Sequence, residues 1–370
     1  MQIKLKKDVL STLLKWGQGI AEKKGTLPIL SHVLIEATGE TLRISATDLE
    51  IAVVAETKAE IKVGGKIAVN ARNLFDIVKE APEESVSLVK KEDQSVEVVS
   101  GKSRFRLVGL NPEEFPSLPT VSSQEEIELE SADLEEILGK TFYAASTEET
   151  RYTLNGVYLL RVSHGEQSYL RVVATDGHRL SYDERPVQKK WSLEKGIIIP
   201  RKGVSEIKNL LTGTEGNLKV SVDDKAILFK RGSVSLLIRL IEGEFPAYEQ
   251  VIPKKTDKIV SVERGVFVGA LRRMSLMTSG IGRGVKFGFS PAFLEMSVSN
   301  PDVGDAREEV PIDYKGGTFQ IGFNPKYFLD VLSTLEDEKI VLELKDEVSP
   351  CVIRSEFDRG FLALIMPMRI

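Results

Sequence analysis

Residues 67–78 read IAVNARNLFDIV, a short apolar strand running straight into an amphipathic helix, and the chain repeats the device as IIIPRKGVSEIKNLL at 197–211 and FQIGFNPKYFLDVL at 319–332. Asn70, Pro200 and Asn324 stand at equivalent points, 130 and 124 residues apart. Two further markers keep the period: helical stripes open near Asp8, Asp133 and Glu263, and the pairs Phe115-Pro116, Phe245-Pro246 and Met366-Pro367 close the three units. The spacing is too long for a solenoid repeat of roughly 20 to 50 residues and fits a whole domain. Three domains of one fold follow, over 1–122, 123–253 and 254–370, with joins near Pro119 to Gln124 and Pro253 to Lys258, where Pro, Ser and charged residues cluster.

Each unit has the same composition of elements. Its first helix shows a one-sided apolar stripe: Val9, Leu10, Leu13, Leu14 and Ile20; then Leu134, Ile137, Leu138, Thr141, Phe142 and Ala145, with Ser131 as the expected N-cap; then Phe267, Ala270, Leu271, Met274 and Met277. Between the helices, short β-branched runs such as VSLV, VEVV, FRLV, YLRVVA, LKVSV, AILF, VSLLIRL, LEMSVS and IVLELK are bounded by Gly, Asp or Asn and separated by hairpin-sized gaps. The expectation is an α+β fold in which each repeat is an antiparallel sheet with two helices on one face.

Several function classes are excluded. Of 370 residues, 28% are charged and 42% hydrophobic, and no apolar run approaches the ~18 to 20 residues that span a bilayer. The opening MQIKLKKDVL lacks the apolar stretch of a secretory signal, so the mature chain is expected to start at Met1 and to be cytoplasmic, with no membrane partner. The single cysteine, Cys351, cannot form an intramolecular disulfide and reads as a core residue. His32, His164 and His178 lack metal-ligand spacing, and Gly280, Gly282 and Gly284 lack the Lys-Ser/Thr of a phosphate loop and follow a helix. No metal, nucleotide or other cofactor is expected. Asp176 beside His178 could in principle serve acid–base chemistry, but no other feature supports it, and the chain is read as non-catalytic.

The polar helix faces point elsewhere. Arg72 and Lys79 share a helix face, as do Arg201 and Lys208; Lys326 opens the third such helix, and Lys15, Lys23, Lys24, Lys140, Arg272 and Arg273 belong to the first-helix set. One basic face is ordinary solvation, whereas its recurrence in three units points to phosphate. The formal net charge of −5 does not oppose this, because a basic inner face can sit within an acidic shell. With no base-reading motif, contact to the DNA backbone without sequence preference is expected.

Six strings then carry a resemblance: ATDGHRLS at 174–181, FPAYEQVIP at 245–253, IMPMRI at 365–370, TLPIL at 26–30, RYTLNGV at 151–157 and IPRKGV at 199–204. In their order and spacing, over the whole chain, the sequence resembles the bacterial sliding clamps, the β subunits of DNA polymerase III. That resemblance implies three DNA-clamp domains per chain and a head-to-tail homodimer, a six-domain ring encircling duplex DNA. Its implied partners are the polymerase α subunit, the clamp loader δ subunit and other proteins carrying a clamp-binding motif. The family's peptide pocket maps to Leu154, Thr175, Gly177, His178, Arg179, Leu180, Pro246 and Val251 in the central unit and to Asn324, Tyr327, Val348, Leu364, Met366, Pro367, Met368 and Arg369 in the third unit. Such an apolar slot with flexible methionines suits several partner peptides.

By the same resemblance the DNA contacts are Lys24, Arg72, Arg151, Tyr152, Arg201 and Lys202, and the dimer contact sets Phe105 and Leu107, on an edge strand, against Leu276 and Met277. Lys102, Arg104 and Arg106 would face Asp302, Asp305, Glu308 and Glu309. The chain departs from the family pattern at Gln250, Gly282 and Pro350 on the pocket rim, at Ile370, and at Glu148, a carboxylate in the DNA-facing loop. A three-domain interaction scaffold is the alternative; it would share the pocket without needing basic helices or a closed dimer.

Overall fold

The computed structural model describes residues 1–22, 27–122, 125–187, 191, 193, 195–213, 216–278 and 284–369. Among the described residues six α-helices come in three pairs: α1 (Lys7–Ile20) with α2 (Ala71–Lys79), α3 (Ser131–Thr141) with α4 (Arg201–Leu211), and α5 (Arg264–Ser275) with α6 (Pro325–Leu332). Asn70, Pro200 and Asn324 are the N-cap residues of α2, α4 and α6. Both asparagines cap through their side chains, Asn70 accepting the Asn73 N–H at 3.0 Å and Asn324 that of Lys326 at 3.0 Å. Each marks the point where an apolar strand becomes a helix.

The chain forms two compact units, residues 1–130 with 215–240 and residues 131–214 with 241–370. In the first, thirteen strands follow one hydrogen-bonded order from Glu126–Glu130 to Glu60–Val63; in the second, twelve run from Ile197–Pro200 to Phe319–Phe323. These units do not coincide with the sequence repeats, because strand pairing crosses from one repeat to the next. The strand Val234–Arg239 of the central repeat pairs antiparallel with Ile51–Lys58 of the first. Likewise Arg179–Val187 of the central repeat pairs with Leu362–Ile365 of the third. Each sheet therefore gathers strands from two repeats.

Helix burial follows the apolar stripes. Leu10, Leu13, Leu14 and Ile20 of α1 and Leu74 and Val78 of α2 are buried, removing apolar surface worth roughly 1.5–3 kcal/mol per side chain. Gly17 lets α1 lie close to the sheet, since a Cβ there would overlap Val33 Cγ1. In the third repeat Phe267, Phe287, Phe323 and Phe328 meet edge-on or stacked with centroids 5.3–6.4 Å apart. Cys351 is fully buried in the same core, as its reading required, and burial pushes its thiol pKa up.

Four local expectations fail. Ser131 does not cap α3; the chain passes from the strand directly into the helix, leaving Ser131 inside the first turn with its buried hydroxyl unpartnered. The second stripe overruns its helix, for α3 stops at Thr141 and Phe142–Ala144 form a 3₁₀ turn. Val9 is 37% exposed and lies off the core face. Lys140, counted in the basic first-helix set, is instead largely buried between Glu136 and Asp358.

Candidate functional site

The expected pocket lies on the sheet of the second unit. Pairing of Arg179–Val187 with Leu362–Ile365 sets Leu180 opposite Leu364 and Arg179 opposite Ile365. Val173, Leu180, Tyr248, Leu362 and Leu364 form a buried apolar cluster, with Phe245, Ile252 and Met366 packed against it. Phe245 stacks on Tyr158 at 4.8 Å and 4°. The following residues, Pro246 and Val251, are exposed.

The ATDGHR segment forms a closed loop. Thr175 Oγ1 donates to the Arg179 carbonyl (2.7 Å) and accepts the Gly177 N–H (3.1 Å), while the Asp176 carboxylate accepts the N–H groups of His178 (2.9 Å) and Arg179 (3.0 Å). Gly177 has φ +86°, a region favouring glycine. The His178 carbonyl accepts the Met366 N–H at 2.9 Å, and the Gly322 carbonyl accepts that of Met368 at 2.8 Å, so the IMPM segment is held at alternate residues. The His178 ring stacks on Tyr327 at 6.4 Å and 15°. Asp176 is occupied by backbone N–H groups and by Arg179 Nε, so it does not orient the imidazole, and the acid–base arrangement is absent.

Thr175, Gly177, His178, Arg179, Leu180, Tyr327, Leu364 and Met366 thus form one bonded and packed neighbourhood. Asn324 joins as the cap of α6, Met368 through Gly322, and Pro367 is half-buried between the two methionines. Leu154 is half-buried at the end of the 3₁₀ turn Tyr152–Leu154. Val348, 81% exposed in a turn held by Asp346, and Arg369, also exposed, lie outside this packed set. Of the rim departures, Gln250 is exposed and Pro350 half-buried, whereas Gly282 and Ile370 lie outside the described residues.

Supporting residues escaped the sequence reading. Arg179 bonds Asp330 on α6, donates to the Tyr143 carbonyl at 2.9 Å, and lies 4.7 Å over the Tyr327 ring. Arg171 binds Glu184 at 2.8 Å and the Tyr248 hydroxyl at 3.1 Å, fastening the 3₁₀ turn Tyr248–Val251. No spacing in the sequence links these residues. A further buried group, Asp183, faces Arg185 at 2.7 Å near Lys140, Asp358 and Glu136. Burial, and then the nearby Asp358 charge, push its pKa up to about 6.

The expected DNA residues differ in availability. Arg72 is exposed and lies 3.7 Å from Asp76, and Lys202 and Tyr152 are exposed. Arg201 is half-buried, donates to the Ala145 carbonyl at 2.8 Å and lies 4.6 Å over Phe142. Burial and the nearby Arg179 lower its pKa. Arg151 is bound at 3.0 Å by Glu148, which neutralises that arginine directly. Lys24 lies outside the described residues.

Of the residues expected at a dimer contact, Phe105 is 44% and Leu276 77% exposed, while Leu107 and Met277 are half-buried. The strand Ser103–Leu110 is not a simple edge: Gly109 and Leu110 pair with Val69 and Ala68, but among the described residues 103–108 pair on one side only, with Ser95–Ser100. Gly304–Asp313 matches it, pairing through Ile312 and Asp313 with Val262 and Ser261 and elsewhere, among the described residues, only with Phe293–Asn300.

Sequence models of the DNA polymerase III beta subunit match the chain as its N-terminal domain over residues 1–119, central domain over 128–247 and C-terminal domain over 249–369. The chain belongs to the DNA polymerase III beta subunit family. The beta sliding clamp of Caulobacter vibrioides is 34% identical over 372 residues, covering all of both chains. The crystal structure of the Caulobacter crescentus DNA polymerase sliding clamp superposes with TM-score 0.96 at 34% identity, again over both entire chains. The Bartonella birtlesii sliding clamp bound to griselimycin matches equally, with TM-score 0.96, 34% identity and full coverage. Members of this family are non-catalytic replication proteins that encircle duplex DNA as homodimers and tether the replicative polymerase and other clamp-binding proteins, and this is the function of the chain.

Proposed function

We propose that two copies of this chain close head to tail through the strands Ser103–Leu110 and Gly304–Asp313, forming a ring of six repeats at bounds 1–122, 123–253 and 254–370, and that the neighbourhood around His178 and Met366 binds partner peptides. One observation carries the ring. The strand Ile51–Lys58 of the first repeat is joined by the last strand of the second, and Arg179–Val187 of the second by the last strand of the third. By the same rule Gly304–Asp313 of the third is joined by the last strand of a first repeat, Ser103–Leu110, and each of these two has one open side. An open strand side is a template for pairing with another chain, and a heterologous contact whose rotation closes makes a ring. Phe105 and Leu107, with Leu276 and Met277, supply the apolar part, and basic Lys102, Arg104 and Arg106 complement acidic Asp302, Asp305, Glu308 and Glu309.

Within the ring, Lys24, Arg72, Arg151, Tyr152, Arg201 and Lys202 contact phosphates, with Arg72, Tyr152 and Lys202 exposed and Arg201 also anchoring its helix. A closed ring needs only weak, salt-screened contacts to stay on DNA while sliding, and tethering raises the polymerase's effective concentration at the primer end. The pocket takes an extended apolar peptide, and the ring works in the cytoplasm. The test is retention after loading by a clamp loader: the protein stays on nicked circular plasmid and leaves the linearised form. Equal loss from both would support the interaction scaffold.

A further inference from the structure

The loop expected to face DNA is bonded to the loop that shapes the pocket. Arg151 Nη1 donates to the carbonyl oxygen of Asp176, and its Nε lies 3.0 Å from Glu148 Oε2. Gly177 follows at φ +86°, where a Cβ would stand 2.9 Å from that same Nη1, so glycine serves both the turn and the arginine's approach. Beyond the carbonyl, the Asp176 carboxylate fixes the backbone N–H groups of His178 and Arg179, and the His178 carbonyl fixes Met366. A shift of Asp176 is therefore felt at His178, Arg179 and Met366. The Arg151 side chain is 37% exposed, within reach of solvent and of a phosphate.

We propose that Arg151 is a positioning residue for the partner pocket that DNA phosphate competes for, so that DNA occupancy and partner binding are coupled. This rests on the assignments of the pocket and DNA-facing loop above. Without DNA, the guanidinium holds the Asp176 carbonyl and keeps the 175–179 loop closed. A phosphate is the stronger acceptor because it is itself ionised, so that both partners carry charge, whereas the carbonyl is neutral; it draws Arg151 away and loosens the loop, and by linkage a bound peptide weakens the phosphate contact equally. Glu148 sets the balance by holding Arg151 against the incoming anion.

The experiment compares griselimycin affinity for the free homodimer and for the homodimer loaded on a nicked circular plasmid. Loaded wild type is expected to bind about fivefold more weakly, at the lower end of usual couplings. Arg151→Ala should weaken binding to the free ring and remove the difference between free and loaded rings, Arg151→Lys should restore part of both, and Glu148→Gln should enlarge the difference. A purely structural role for Arg151 would change both affinities together and leave their ratio intact. Equal affinities in wild type, or a ratio unchanged by Arg151→Ala and Glu148→Gln, would overturn the coupling alone. Failure of griselimycin to bind the free ring would overturn the pocket assignment and the coupling with it.

Discussion

The guanidinium of Arg179 lies 4.7 Å over the ring of Tyr327 and bonds Asp330 on the same helix, tying the central repeat to α6 of the third. Burial lowers and the two carboxylates Asp330 and Asp176 raise its pKa, with a net rise, so it is a fixed cation. Lysine keeps the charge but loses the planar fork. Arg179→Lys should cost about 1.5–3 kcal/mol, the worth of a charged hydrogen bond, lowering the thermal midpoint by several degrees and griselimycin affinity by about tenfold. Calorimetry measures both; unchanged affinity would remove Arg179 from the pocket.

Leu276, 77% exposed just past α5, is proposed for the ring contact. Leu276→Asp puts a carboxylate into an apolar contact and should convert the homodimer to monomer in sedimentation velocity. Griselimycin affinity should be unaffected, since the pocket is built within one chain. A variant that remained dimeric would refute this placement of the contact.

Asp183 gives a pH signature. Its folded pKa, about 6, lies above the ordinary 3.8, so the folded chain holds the proton more tightly than the unfolded one and loses stability as pH rises from about 4 to about 6, by roughly 3 kcal/mol. Lys140, Arg185, Asp358 and Glu136 share the cluster. The stability of Asp183→Asn relative to wild type should rise by about 2 kcal/mol of that between pH 4.5 and pH 7.5 in urea titrations. A pH-independent difference would contradict the protonated state.

Gly17 is required by packing rather than by backbone conformation. Alanine would gain about 1 kcal/mol of helix propensity but drive its Cβ into Val33 Cγ1, and overpacking typically costs about 1–3 kcal/mol. Gly17→Ala should be destabilised in thermal melts, and Val33→Ala in the same chain should recover part of the loss.

Arg72→Glu with Lys202→Glu removes two accessible cations without disturbing Arg201, whose contacts with Ala145 and Phe142 hold α4. Polymerase stimulation should fall most at elevated salt, where phosphate contacts are weakest, while griselimycin binding persists. Unchanged stimulation at every salt concentration would place the DNA contacts elsewhere.

Much of this molecule is local and therefore legible in the sequence. The strand-to-helix stretches at 67–78, 197–211 and 319–332 announced the repeat because an apolar run, a capping position and a 3.6-residue stripe are all written within a dozen residues. All nine quoted β-branched runs coincide with strands, two of them overrunning by one residue at Leu240 and Lys345. Helix ends were less legible: Ser131 and the overrun to Ala145 show that a stripe says which face is buried, not where tertiary contacts stop the helix. Within the site, TDGHRL and IMPM are contiguous strings, whereas Asp330, Tyr143 and Arg171 are recruited from distant segments with no sequence period to reveal them.

The sequence by itself determined the three-fold repeat, the α+β make-up, the helix faces and the absence of a long apolar span, because these depend on neighbours along the chain. Only the tertiary structure decided that strands pair across repeats, that 103–108 and 304–311 each keep an open side, and that Lys140 and Arg201 serve packing and ion pairing before solvent. Those outcomes depend on which distant backbone N–H and C=O groups meet, and on which charges burial forces to find a partner.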